Sequence, residues 1–329
     1  MNFDNKYLWQ NLAQALPLEL GLQLFGTALG YVFAILVTPI DLVWITRSHL
    51  WSVIGIQILR TSIVMLASGR DSNHLVYKTA PKDPNWIFAG PEFHALHHVY
   101  PDRYMGSFIK LFDWVWGTAY SFRGKRFVIT GGSGAFGQAI VAELQQEGVQ
   151  SIRSLKFGVD WDHQHFEKAI EALSACDVLI LAHGTKGQDA VESSCNSAVQ
   201  LVQLFKQNRS SNKTSPTLPE VWYVGSEIEF HPAFGNTELQ RYSESKRRFL
   251  PHARSFFDDP DIIYRHIVTP AFQSPMGPAI LSAGWAARCT MCWIRRGARY
   301  IPVTYTGFAY LNYFKFMCWV PYAQDTDKL

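Results

Sequence analysis

The chain has 329 residues, 48% of them apolar and 14% aromatic, with a formal net charge of +3. That length accommodates two domains, each able to bury a core. The small, scattered charge, with no basic block interleaved with stacking aromatics, excludes a nucleic-acid-binding class. Five widely spread cysteines do not form a secreted disulfide framework and fit a reducing compartment.

Leu20 to Ile40 carries no charge, and about 20 apolar residues suffice to span the hydrocarbon core of a bilayer. Asp4 and Glu19 precede it and no basic segment leads to a cleavage site, so it reads as an anchor and not as a secretory signal. Leu42 to Ala67 is a second apolar stretch, broken by Arg47, His49 and Arg60. It is open to spanning or to lying in the interface with its arginines snorkelling. Ser68 to Pro91 is polar and holds three prolines, the composition of a loop. After a histidine cluster comes an aromatic run, in which Trp114, Trp116 and Tyr120 suit a headgroup belt.

At Arg123 the character changes. Phe127 to Thr130 reads as a buried strand, followed by a glycine-rich turn and an amphipathic helix packed through Ala139, Ile140, Ala142 and Leu144 and closed by Gly148. Strand-like runs recur at Asp177 to Gly184, Glu220 to Ser226 and Asp261 to Pro270, with helical patterns between them at 165–174 and 194–205. Near-continuously apolar strands alternating with helices predict an α/β fold with a doubly wound parallel sheet. The expected organisation is an α-helical membrane-associated domain over 1–120 and a nucleotide-binding domain over 121–329. The latter ends in an apolar segment that contacts the membrane or packs on the domain's own core.

Thr130, Gly131, Gly132, Ser133, Gly134, Ala135, Phe136 and Gly137 stand between the strand and the helix. Absent side chains there let backbone approach a pyrophosphate, and the helix N-terminus supplies free N–H donors. Tyr242 and Lys246 are four residues apart, so on a helix they share a face. A phenol beside an ammonium suits acid–base work on a carbonyl or alcohol, because the cation favours the phenolate.

In this order the motifs resemble the short-chain dehydrogenase/reductase family over roughly the last 200 residues. The resemblance implies a Rossmann fold, a nicotinamide dinucleotide, and pairing into a homodimer. It implies Tyr242 as acid/base, Lys246 as the cation that lowers its pKa and holds the nicotinamide ribose, Ser226 polarising the substrate oxygen, and Asn196 relaying protons. Ala182, His183 and Gly184 would support the cofactor from strand four, and Pro270 stands in the family's turn after strand six. Three departures accompany the match. Ser226 lies sixteen residues before Tyr242, a longer spacing than usual; the turn reads TPAFQS; and only 53 residues separate Gly131 from Gly184, so the region of strands two and three is shortened. Arg153 and Lys156 stand where an NAD-preferring site has an acidic residue, so NADP(H) is expected over NAD(H).

His94, His97 and His98 form HxxHH, three imidazoles on one helical face that suit iron or zinc. With His74 they resemble the last histidine box of the membrane fatty acid hydroxylase/sterol desaturase superfamily, which implies a di-iron centre. The superfamily's earlier boxes are absent. A hydroxylase-like membrane region running into a reductase resembles the bifunctional sterol desaturase/short-chain dehydrogenase arrangement, minus the front of its first domain. Four histidines are about half of what a dinuclear site needs. The expectation is an incomplete iron site, histidines bonded in the domain interface, or a separate chain supplying the missing boxes. The function these resemblances imply is a membrane-associated NAD(P)-dependent oxidoreductase acting on a lipid-like substrate, its dinucleotide domain in the cytoplasm. The alternatives are a di-iron hydroxylase or desaturase, and a non-catalytic cofactor-binding scaffold at the membrane.

Overall fold

The computed structural model describes residues 8–37, 46–66, 77–84, 87–107, 109–163, 165–210, 216–231 and 237–324. The chain divides into two compact units, Met1–Lys78 and Thr79–Leu329. The first holds helices α1 (Leu8–Val37) and α2 (Arg47–Leu66). These two are apolar outside and polar between. Leu22, Phe25, Leu29 and Phe33 on α1, and Ile56, Leu59 and Ile63 on α2, are exposed. Gln23 Nε2 donates to Gln57 Oε1 across the pair at 2.7 Å, and Gln57 is buried. Among the described residues, one helix is long and apolar enough to cross a membrane, through Leu20–Val37.

The second unit is built on a parallel sheet in the order β2-β1-β3-β4-β5-β8. Its strands are β1 (Arg126–Thr130), β2 (Ser151–Leu155), β3 (Val178–Leu181), β4 (Glu220–Ser226), β5 (Ile263–Thr269) and β8 (Tyr300–Pro302), with a short pair β6 (Phe272–Gln273) and β7 (Leu281–Ser282) outside the sheet. Period-two alternation sends Phe127, Ile129, Val178, Ile180 and Trp222 to one face, against α5 (Ala135–Gln145) and α9 (Ala283–Arg295). Val128, Leu179, Leu181, Val221 and Tyr223 go to the other, against α6 (Glu167–Ala175), α7 (Ser197–Ser210) and α8 (Thr237–Asp258). Helices on both faces of a parallel sheet are the doubly wound fold expected from the sequence. Six strands form it, with β2 and β8 as its two outer strands. The segment Phe157–Trp161 that follows β2 is joined by a single bridge and adds no strand outside it, which is where the shortening falls.

The histidine segment belongs to this second unit, so the domain boundary expected near 120 differs from the compact division at 78/79. Helices α3 (Pro91–Val99) and α4 (Leu111–Trp116) pack below the sheet, at the edge where its strands begin. Ala80 N donates to Pro216 O at 2.8 Å, Lys82 Nζ to Phe257 O and Asp259 O at 3.0 and 2.6 Å, and Arg296 Nε to Trp114 O at 2.9 Å. Each of those partners lies just before a strand of the sheet. The buried Glu220 carboxylate, which opens β4, accepts from Tyr120 Oη at 2.8 Å and from Trp222 Nε1 at 2.6 Å, and pairs with Lys125 and Arg265. Tyr120 is therefore a core residue, 3% exposed, and not part of a headgroup belt; Trp116 is 67% exposed. The terminal helix α10 (Phe308–Cys318) packs on the domain's own core through one face and leaves an apolar face outside. It buries Ala309, Asn312 and Phe316 and exposes Tyr310, Leu311 and Phe314.

Candidate active site

The opposite edge, where the strands end, carries the glycine turn. The sheet order reverses between β1 and β3, and ligands of open α/β sheets bind outside the carboxyl ends of the strands at such a point. Gly131 there has φ +71°, and a Cβ on it would lie 2.6 Å from the backbone of Ala182 and His183. A Cβ on Gly137, in the first turn of α5, would overlap the backbone of Gly131 and Gly132. Both glycines are thus required by close backbone approach, one of strand to turn and one of turn to helix. Gly134 N donates to Gly131 O at 3.0 Å and Gln138 N to Gly134 O at 2.9 Å, closing the turn on the helix start.

His183 props the turn from below. Its Nδ1 is 2.6 Å from Thr130 Oγ1, its Nε2 is 3.1 Å from Ser197 Oγ, and its ring meets the edge of Trp161 at 5.1 Å. Burial, helped by the nearby Lys246 cation, depresses its pKa to about 3, so the imidazole is neutral. Phe272 of β6 packs on Phe136 at 5.9 Å between ring centroids, and Lys186 Nζ donates to Met276 O. The chain that follows Pro270 is tied in this way to both sides of the crevice.

Tyr242 and Lys246 lie on α8, beside the end of β4 and the start of the AHG segment. A Cβ on Gly184 would sit 3.8 Å from the Tyr242 ring, 4.0 Å from Lys246 Nζ and 3.7 Å from Ser194 Oγ. Lys246 is buried and donates to Val224 O at 2.8 Å and to Tyr223 Oη at 3.2 Å. Its removal from water lowers its pKa to about 8 against the opposing pull of Glu229. Tyr242 is half-buried; desolvation and the Glu229 charge push its phenol up, and a hydrogen bond with Ser226 acts the other way. Ser226, Tyr242 and Lys246 therefore converge at one point above the strand ends. The added spacing between Ser226 and Tyr242 is taken up partly by the opening of α8, which begins at Thr237; the rest lies at 232–236, outside the described residues.

Other expected residues sit elsewhere. Asn196 closes a five-residue π-turn, Glu192–Asn196, and its amide donates to Glu192. The side-chain pairing that a relay from Lys246 through Asn196 would need is not among the described contacts. Ser194, one residue type not singled out by the sequence, stands there instead and accepts from Thr185 N at 3.2 Å. Arg153 alternates with Ser154, whose hydroxyl meets the Gly132 position, and shares its face with Leu155, which packs with α6 and α7. Its side chain therefore leaves the sheet on the face away from the glycine turn, whereas Lys156 follows the strand end and is exposed.

The chain is similar to the curated monoglucosyldiacylglycerol epimerase of Synechocystis, 30% identical over 254 residues, 68% of this chain. It spans 61% of that protein's length. Among solved structures it is similar to a short-chain dehydrogenase/reductase of Burkholderia phymatum in complex with NAD, 12% identical with a TM-score of 0.48, over 62% of this chain and 98% of that one. A short-chain dehydrogenase of Sphingobium yanoikuyae in complex with NADPH is 14% identical with a TM-score of 0.44, over 62% of this chain and 100% of that one. No protein-family model matches the chain. The doubly wound fold stands on the chain's own strand order and register.

The histidine cluster does not fit a di-iron centre. His97 Nδ1 is 2.9 Å from Arg103 O, and His94 and His98 share a contact of 3.2 Å between their Nε2 atoms. Among the described residues no group of three or more His, Cys, Asp or Glu side chains is arranged to hold a metal. His74 lies outside the described residues.

Proposed function

We propose that the chain is an NAD(P)-dependent oxidoreductase that interconverts a carbonyl and a secondary alcohol on a lipid-like substrate at a membrane. The observation that carries this reading is the convergence of Ser226, Tyr242 and Lys246 beside a glycine turn whose Gly131 and Gly137 leave no room for a side chain. The residues present fit a dinucleotide: the eleven-residue helix α5 directs its free N–H groups at the turn, where a pyrophosphate would sit. Bound there, the nicotinamide supplies a hydride acceptor or donor. Tyr242, as phenolate, takes the hydroxyl proton in oxidation and, as phenol, returns it in reduction. Ser226 donates to the substrate oxygen, and the Lys246 ammonium favours the phenolate.

The membrane part of the proposal rests on the first unit. Two helices with apolar exteriors and a Gln–Gln hydrogen bond between them have the polarity of a pair solvated by lipid, and the domain that follows is assigned to the cytoplasmic side. Within the dinucleotide, a preference for NADP rests on Lys156 rather than Arg153. The histidine helix, at the edge of the sheet remote from the turn, is a structural element. The hydroxylase-like origin of that segment and a di-iron activity find no support in its bonding.

A second reading is favoured by the similarity to the Synechocystis epimerase. Here one carbon of a glycolipid headgroup is oxidised to a ketone and then reduced from its other face, so the hydride returns and no nicotinamide is consumed. The test is titration of the full chain, in detergent, with NADPH and NADH, followed by incubation with a glucosyl lipid and NAD(P)+. Saturable binding with accumulating reduced nicotinamide supports the dehydrogenase reading. Saturable binding with a new epimer and no net reduction supports the second. Absence of binding by either nucleotide overturns both.

A further inference from the structure

Glu229 closes the short 3-10 turn Glu227–Glu229 that follows Ser226 and is buried, 2% exposed. An ionised carboxylate so placed persists only when paired and hydrogen-bonded. Its Oε1 accepts from Ser226 N at 2.8 Å, and its Oε2 lies 2.9 Å from Nε2 of His266, which is itself wholly buried on β5. His266 Nδ1 is 3.0 Å from Tyr264 Oη, and its ring stacks on Phe316 of α10 at 4.9 Å. The carboxylate therefore has a rigid floor. Its approach to the strand end depends on Gly225, where a Cβ would overlap Oε1. None of these contacts is needed to build the sheet, yet all of them end at the backbone of the serine that faces Tyr242.

We propose that Glu229 is a positioning residue: anchored by His266, its carboxylate fixes Ser226 through the backbone amide and sets a negative field beneath the Tyr242–Lys246 pair. The inference deepens the proposed function and rests on the same site. The titratable groups around Lys246 are Tyr223 from β4, Tyr242 on its own helix, Cys195 from the π-turn, His183 after β3, and Glu229. His183 is neutral and burial raises the Cys195 thiol to about 12 and the Tyr223 phenol well above its usual range. Glu229 is the carboxyl whose charge opposes the desolvation of the Lys246 ammonium. Tyr264 and Tyr300, also near Glu229, are raised by burial and stay neutral.

The test needs no substrate. In the full chain, in detergent, the titration of Lys246 is followed by NMR of 13C-labelled lysine, its signal assigned by loss in Lys246→Arg. Glu229→Gln keeps the acceptor for Ser226 N and removes the charge. Its Lys246 midpoint is expected to fall by about one pH unit or more, the size of shift that loss of an opposing charge produces. Coincident midpoints in wild type and Glu229→Gln overturn the proposal. Glu229→Asp, measured independently of whether the Gln variant folds, keeps the charge and shortens the reach: its midpoint stays with wild type, and a fall matching loss of charge overturns the proposal too. Because the reading is the lysine's own titration, a chain inactive on every alcohol tried would sink the proposed function and leave this result standing.

Discussion

The two edges of the sheet are built from the same kinds of residue and do opposite things. At the edge where strands begin, buried charges close on one another: Glu220 is met by Arg265, Lys125, Tyr120 and Trp222, and Asp177 by Arg126 and Arg209. At the edge where strands end, Lys246 donates to a carbonyl and a phenol, and Tyr242 shares a hydrogen bond with a serine. The first edge is neutralised and rigid; the second keeps a cation and a weak acid poised beside an opening at the exposed Gly184. Clusters of ionisable side chains thus mean little until it is known whether they satisfy each other, and the three histidines fall on the satisfied edge.

That contrast can be broken most decisively at Tyr242. Tyr242→Phe is expected to lower kcat by about 10³-fold, within the usual range for a lost general acid–base group, while nucleotide titration stays as in wild type. Gly131→Ala comes next. Strain at a positive φ amounts to about 1–3 kcal/mol, and with the overlap at Ala182 the nucleotide Kd should rise at least about tenfold, read by nicotinamide fluorescence. The pH profile follows. Lys246 is charged below about 8, so the rate of carbonyl reduction should hold below that pH and decline above it; a rate that climbs steadily to pH 10 would remove Lys246 from the chemistry. Smallest is the lower edge. Replacing His94, His97 and His98 together by alanine should change kcat less than about twofold, with a loss of about 1 kcal/mol from the hydrogen bond to Arg103, read as a lower Tm. A large loss of activity there would overturn the division between the two edges.

The upper edge was legible in the sequence to the extent that its signals are local. A glycine spacing between a strand and a helix, and a tyrosine four residues before a lysine, are each contained within one turn or two of backbone. The doubly wound parallel sheet is legible in apolar strands alternating with helices. What escaped depends on contacts across long separations. His266 meets Glu229 from 37 residues away, and nothing in DIIYRHIVTP marks it. Glu229 itself leaves a trace, because Ser226 followed three residues later by a glutamate is a helix-start signature, which the structure forms as a capping box. For Arg153, period two decides which face the side chain leaves from, and only the packing of Leu155 fixes the phase. The tie of the segment around Tyr120 to the sheet runs to Glu220, 100 residues later, a separation no local pattern spans.

His183 has a use for anyone measuring this protein. An imidazole in a catalytic crevice normally adds an ionisation near neutrality. Here, with its pKa lowered to about 3, it stays neutral throughout the range in which activity can be assayed. A pH–rate curve therefore contains no histidine limb from this residue, and a decline above about pH 8 can be attributed to the lysine.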